Sequence, residues 1–275
     1  MGKKQRRSKF FLDELHDFMR NDLVPGLFNT KRWKSLSQRS LRLMNRRAKL
    51  GFLWVILSSA IFVVSIGLVY SFVFQIEIAS FLPYIACGYI TWSLIASNLM
   101  SAPSVFTTYR GYISQRNLPL TVYVTSSAYD KLIVFLTQSL VIVTTCFIFS
   151  TGFSISFLIL PVSLLLIFVT SIGVSLILGV MAVRYRDLGQ VISSSILIIF
   201  LLTPIIWKPE FAAGRRAMII DVNPFYHFIH IVRGPIIYHE VPVMSLIVAA
   251  VISLFSIIIG SILMAVYRHR IVYWL

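Results

Sequence analysis

The run Ile196-Leu-Ile-Ile-Phe-Leu-Leu-Thr-Pro-Ile-Ile-Trp207 and the stretch Ala217-Met-Ile-Ile-Asp-Val-Asn-Pro-Phe-Tyr-His-Phe-Ile-His-Ile-Val-Arg-Gly-Pro-Ile-Ile-Tyr238 decide the organisation of this chain. The first is an apolar, proline-containing span that stops at Lys208-Pro209-Glu210. The second is neither loop nor span. Asn223 suits an N-cap, and Pro224 suits the first helical position. Gly234 suits the C-terminal cap, and Pro235 does not continue a helix. That spacing predicts a helix of about ten residues, whereas crossing the hydrocarbon core takes ~20. A short apolar helix beside a proline-containing span reads as re-entrant, because irregular backbone at membrane depth must be covered by protein or line a watery cavity. The other reading is a helix lying on the membrane surface.

Outward from that stretch, the chain is apolar throughout. Of its 275 residues 57% are hydrophobic and 13% are charged, and the mean hydropathy is +0.84. Soluble domains carry about 25% charge, so the composition is that of an integral membrane protein. The net charge is +15, and 14 of the 25 Lys and Arg residues precede position 54. A basic cluster next to a span fits the positive-inside bias and anionic headgroups, not nucleic acid. Cys87 and Cys146 sit in apolar runs, which argues against a disulfide framework or a thiolate metal site. Arg6-Arg7 superficially resembles an export signal, but Asp13-Glu14 follows with no apolar core between.

Six spans are expected, at about Leu53–Phe74, Pro83–Phe106, Val124–Phe149, Phe157–Val183, Val191–Trp207 and Met244–Val266. The fold class is therefore all-α, with residues 1–52 as a cytosolic N-terminal region and 53–275 as the six-span membrane domain. Residues 208–243 form its outer segment. Phe11, Leu15 and Phe18 predict a first amphipathic helix ended by Pro25-Gly26. A second starts near Thr30, with Trp33, Leu36, Ser40, Leu43 and Met44 on one face, and suits the headgroup plane. Six spans place both termini on one side, and the basic clusters make that side the cytosol.

The spans carry almost no ionisable residues, only Glu77 at an outer edge and Asp130-Lys131 near an inner one. Ion-coupled transport needs buried carboxylates or histidines, and no charged filter marks a channel. No phosphate loop is present either. If the chain transports, a separate ATPase supplies the energy, and Tyr109–Val122 and Arg184–Gln190 are the candidate docking loops. His227, His230 and His239 with Asp221 and Glu240 match no zinc pattern, so no metal or catalytic site is expected. Ser58, Phe62, Ser65 and Phe72 share one face of the first span, and Ser193, Phe200, Pro204 and Trp207 share one stripe of the fifth. Rings beside hydroxyls suit a sliding glycan. The other reading is ordinary packing and an interfacial aromatic belt.

Several pieces in order resemble one family. They are Arg116-Asn-Leu-Pro-Leu120, Arg184-Tyr-Arg-Asp-Leu188, Thr203-Pro-Ile-Ile-Trp207, Asn223-Pro-Phe-Tyr226, Arg233-Gly-Pro-Ile-Ile-Tyr-His-Glu240 and Arg270-Ile-Val-Tyr-Trp-Leu275. The chain resembles the permease subunits of ABC transporters that export bacterial polysaccharides, most of all the O-antigen branch, with capsule and teichoic-acid exporters related.

The resemblance implies a homodimer in the bacterial inner membrane with two cytosolic ATPase subunits, which hold the ATP and Mg; this chain has no cofactor. It implies a coupling helix near Tyr109–Leu120, with Tyr109, Arg110, Tyr112, Arg116, Asn117 and Pro119, and Arg184, Arg186 and Asp187 in the second loop. It implies an outer gate at Asn223, Pro224, Phe225, Tyr226, Arg233 and Gly234, and a channel lined by the first and fifth spans. The implied substrate is an undecaprenyl-diphosphate-linked polysaccharide, whose anionic head Arg42, Arg46, Arg47 and Lys49 would attract. Alternatives are a lipid or small-molecule efflux permease, and a membrane transferase without an ATPase.

Overall fold

The computed structural model describes residues 13–46, 50–115, 118–208 and 220–275. Every regular element among them is helical. Five helices are long and apolar enough to cross a membrane. The first span is Phe52–Phe74, the second starts with Ile78–Ser101, the third is Leu120–Ile148, the fourth Leu160–Arg184 and the last Val243–Trp274. The fifth membrane helix, Leu188–Leu202, has 15 residues. At 1.5 Å per residue it rises about 22 Å, short of the ~30 Å core.

The expected fifth span thus ends early. Thr203 leaves the helix with extended backbone, and Thr203–Trp207 run as bends. Pro204 explains the break, since its ring disfavours helical backbone at the residue before it.

Helices elsewhere run longer than their apolar stretches predict. The second continues by a 3₁₀ turn, Ala102–Ser104, into Val105–Thr108. The last carries the basic tail as helix to Trp274. The second span is the most buried element of the bundle. The fourth and last spans pack closely through small residues, and hydroxyls replace charge at their seam. Thr170 and Ser253 share a 2.7 Å hydrogen bond, and Ser253 also donates to the Leu166 carbonyl at 3.2 Å. Small side chains and hydroxyls of this kind let membrane helices approach and bond.

The N-terminal region differs from expectation in one place. Pro25-Gly26 do not stop the first helix. Residues 13–18 are helical, Met19–Leu23 form a π-turn, and Val24–Phe28 continue to a break at Asn29. Pro25 lacks an N–H and its ring crowds the carbonyl four residues back; the wide turn just before it accommodates the ring. Thr30–Arg46 then form the amphipathic helix. Trp33 and Ser37 are buried, and Trp33 meets Tyr129 of the third span edge-on at 4.9 Å. Leu43, on the face expected in the headgroup plane, is 61% exposed.

Candidate functional site

Opposite the basic end, residues 220–242 turn back into the bundle beside Thr203–Trp207. Pro224–Arg233 is a ten-residue helix whose His227, Phe228, Ile229, Ile231, Val232 and Arg233 are buried. Phe225 meets Trp92 of the second span at 5.9 Å. Trp92 lies 14 residues beyond Ile78, about 21 Å along that helix. The short helix therefore starts deep inside the bundle and rises outward. It is re-entrant and does not lie on a surface.

Asn223 ties this helix to the break in the fifth. Its Oδ1 accepts from the Phe225 N–H at 3.0 Å, as an N-cap should, and its Nδ2 donates to Thr203 Oγ1 at 3.0 Å. Arg233 closes the other end. It is 2% exposed. Its Nη1 donates to Tyr84 Oη and to the Pro204 carbonyl, both at 2.8 Å, and its Nη2 donates to the Ile205 carbonyl at 3.1 Å. The guanidinium also stacks over the Tyr84 ring, 3.8 Å from its centroid. Tyr84 Oη in turn donates to the Trp207 carbonyl at 2.9 Å.

The broken helix leaves carbonyls without intrahelical donors, and lipid offers none. A buried arginine with no acidic partner among the described residues makes sense there, because its donors satisfy those carbonyls. Gly88 gives it room, since a Cβ at that position would overlap Arg233 Nη2.

Gly234 is the C-terminal cap, as expected, but in right-handed backbone. Its φ is −53°, and the chain continues as a π-turn, Gly234–Tyr238, ending at His239 with φ +57°. Pro235 again lacks the N–H that would continue a tight helix, and the His239 N–H bonds the Gly234 carbonyl instead.

Behind the re-entrant helix, two histidines share one serine. His227 Nε2 lies 2.8 Å from the Asp221 carbonyl, so that nitrogen carries the proton. Its Nδ1 then accepts from Ser245 Oγ at 3.0 Å, and Ser245 Oγ accepts from His230 Nδ1 at 3.1 Å. His230 Nε2 faces Glu240 Oε1 at 3.5 Å. Burial pushes the His230 pKa below its usual value, with Arg233 and His227 acting the same way and Glu240 against them. The described residues hold no metal-binding group of three or more such side chains.

The candidate path residues are placed as follows. Ser58, Ser65 and Phe72 are exposed on the first span, while Phe62 stacks on Tyr89 at 3.9 Å. Ser193 is exposed, Phe200 lies 5.8 Å from Trp92, and Trp207 is half-buried. The first span packs mainly on the second and third, and the fifth helix mainly on the second and fourth. The two faces therefore do not close a path within one chain.

At the basic end, Arg110 and Arg186 border one cleft of about 440 Å³ with Ser104 and Thr107. Arg184 lies over Trp274, and Asp187 is exposed. Tyr109 is buried, 5.2 Å from Tyr123, and Tyr112 Oη accepts from Arg39 at 3.1 Å. Pro119 precedes the third span. Arg42 is exposed. Arg116, Asn117, Arg47, Lys49 and the Arg46 side chain lie outside the described residues, as do 209–219 of the outer segment.

A family model described as ABC-2 type transporter matches residues 31–237. The chain belongs to this family. As an ABC-2 membrane subunit it is a transporter component and not an enzyme. Among its relatives, the O-antigen export system permease protein RfbA of Klebsiella pneumoniae is 23% identical over 190 residues, which is 69% of this chain and 73% of the relative. The protein of the same name from Myxococcus xanthus is 21% identical over 210 residues, covering 76% and 81%.

The ABC-2 match ends one residue before Tyr238. It therefore includes the broken helix, Arg233 and all but the first residue of the amphipathic helix. Tyr84, Gly88 and Ser245 gave no sequence signal, because each acts on a partner far along the chain.

Proposed function

We propose that this chain is the membrane subunit of an ATP-driven exporter that moves a lipid-linked polysaccharide, of the O-antigen class, out of the cytosol. Two copies form the path, and a cytosolic ATPase docks on the basic end of each. The observation that carries this reading is the fifth helix, which stops part-way across and is pinned to a re-entrant helix by Asn223 and Arg233. Such a break must be covered by protein or open onto a watery path, and one chain leaves the faces of the first span and fifth helix uncovered. The names of the relatives support the glycan class.

In this mechanism the undecaprenyl diphosphate head is drawn to the basic N-terminal region, Arg42 included. The glycan follows past Ser58, Ser65, Phe72, Ser193 and Phe200. Serine hydroxyls there donate to their own helix, Ser58 to Val55 at 3.1 Å and Ser193 to Gly189 at 2.9 Å, which leaves their oxygens as acceptors for sugar hydroxyls. The re-entrant helix is the outer gate. ATP-driven movement of the segment around Arg110–Ile113 opens it.

Deleting the gene and reading surface polysaccharide together with intracellular lipid-linked glycan tests this. Loss at the surface with accumulation inside is expected. Loss of both would point to synthesis, and no change in either would overturn glycan export.

A further inference from the structure

The third span begins without a cap of its own. The residue before it is Pro119, whose side chain offers no acceptor, and no local side-chain bond closes that end. The first N–H groups of a 29-residue helix are then open. Asp22, 98 residues earlier, fills the place. Its carboxylate accepts from the N–H groups of Leu120 and Thr121, both at 2.9 Å, and from Thr121 Oγ1 at 2.7 Å. It is 7% exposed. A carboxylate at a helix N-terminus is favoured by charge as well as by hydrogen bonding.

The surrounding contacts hold this cap in place. A Cβ on Gly26 would stand 2.6 Å from Thr121 Cβ, so the N-terminal segment lies directly against the start of the span. Phe18 and Leu23 share a core with Tyr109, Leu120 and Tyr123. Arg39 reaches Tyr112, and Arg268 of the last span pairs with Glu14 and Asp17. The N-terminal region thus grips the inter-span segment on both sides, at Tyr112 and at Leu120-Thr121.

We propose that Asp22 is a positioning residue for coupling. It makes the N-terminal region, the inter-span segment and the third span move as one body, so that a push on the segment reaches the span and is not absorbed by fraying of its first turn. This rests on the reading that an ATPase docks on that segment. Asp22 itself touches neither ATP nor glycan.

The test uses the full chain, co-purified with its ATPase and reconstituted in vesicles. Parent, Asp22→Asn and Asp22→Ala are compared for assembly, ATP hydrolysis and lipid-linked glycan moved per ATP. The expected result is assembly and hydrolysis kept, with glycan per ATP lowered at least about 5-fold in Asp22→Ala, the low end of inter-site coupling. Asp22→Asn, which keeps an acceptor but not the charge, falls between. An unchanged ratio in an assembled Asp22→Ala complex overturns the inference.

Hydrogen exchange on the parent complex decides the matter if neither variant accumulates. The Leu120 and Thr121 amides should stay protected with and without ATP, and exchange that rises with ATP overturns the proposal. Failure of the parent chain to retain any ATPase would instead defeat the proposed function, a distinct result.

Discussion

Arg233 is the residue on which the outer segment depends. Removing it leaves the Ile205 carbonyl without its donor and the Pro204 carbonyl with only the 3.4 Å contact from Tyr84 Oη, in a dry site, at ~1–3 kcal/mol for each unsatisfied group. Arg233→Met, which keeps the stem volume, should therefore lower stability on the order of 3 kcal/mol, and Arg233→Lys should recover part of it. Unfolding in detergent micelles measures this; a Met variant as stable as the parent would refute the role. His230 makes a second prediction. Its folded pKa lies below the usual value, so between that value and about 6.5 the unfolded chain binds more protons. Stability should be fully present above pH 6.5 and decline as pH falls below it. His230→Asn, which still donates to Ser245 but does not titrate, should flatten that decline; an identical pH profile in the variant would count against it. The sequence made the cap at Asn223 visible, because Asn-Pro before an apolar run is local chemistry. Arg233 looked like a charge outside the spans, since Tyr84 stands 149 residues away from it.

At the scale of elements, turn residues were the least legible part. Pro25 and Pro235 were read as ending a helix and Pro204 as lying within a span, yet only Pro204 sits at a true break. The other two are absorbed by π-turns, which local spacing does not announce. The reading of a ten-residue helix between Asn223 and Gly234 matched, because a cap, a proline and an apolar run agreed. The link between this helix and the broken one is testable. Asn223→Ala removes both the cap and the bond to Thr203 and should cost about 1–2 kcal/mol. Thr203→Val removes only the second and should cost less. Equal stability of both variants with the parent would mean that the two elements hold together by packing alone. Asp22 was also missed, although Pro119 at the start of a long helix was a usable signal: a helix end with no acceptor of its own takes one from elsewhere.

At the scale of the whole molecule, the uneven burial of the helices calls for a second copy. The second span is enclosed, whereas the fifth helix has no buried residue. Exposure to lipid suits an apolar helix that crosses the membrane. It does not suit one of about 22 Å whose end opens into irregular backbone. The all-helical membrane architecture was legible from hydropathy, but the shortness of the fifth helix was not, because it depends on where Thr203 stops the helix. The prediction concerns the exposed positions Val191, Leu197, Ile198 and Leu201. Single cysteines there, in a chain whose Cys87 and Cys146 are replaced by serine, should cross-link two copies at some of these positions with helical spacing. Cysteines at Phe147 and Phe255, exposed on the third and last spans, should not. The particle mass in detergent should be that of two chains. A single-chain mass, or cross-linking equal at every exposed position, would remove the second copy from the path and leave the broken helix to be covered by another partner.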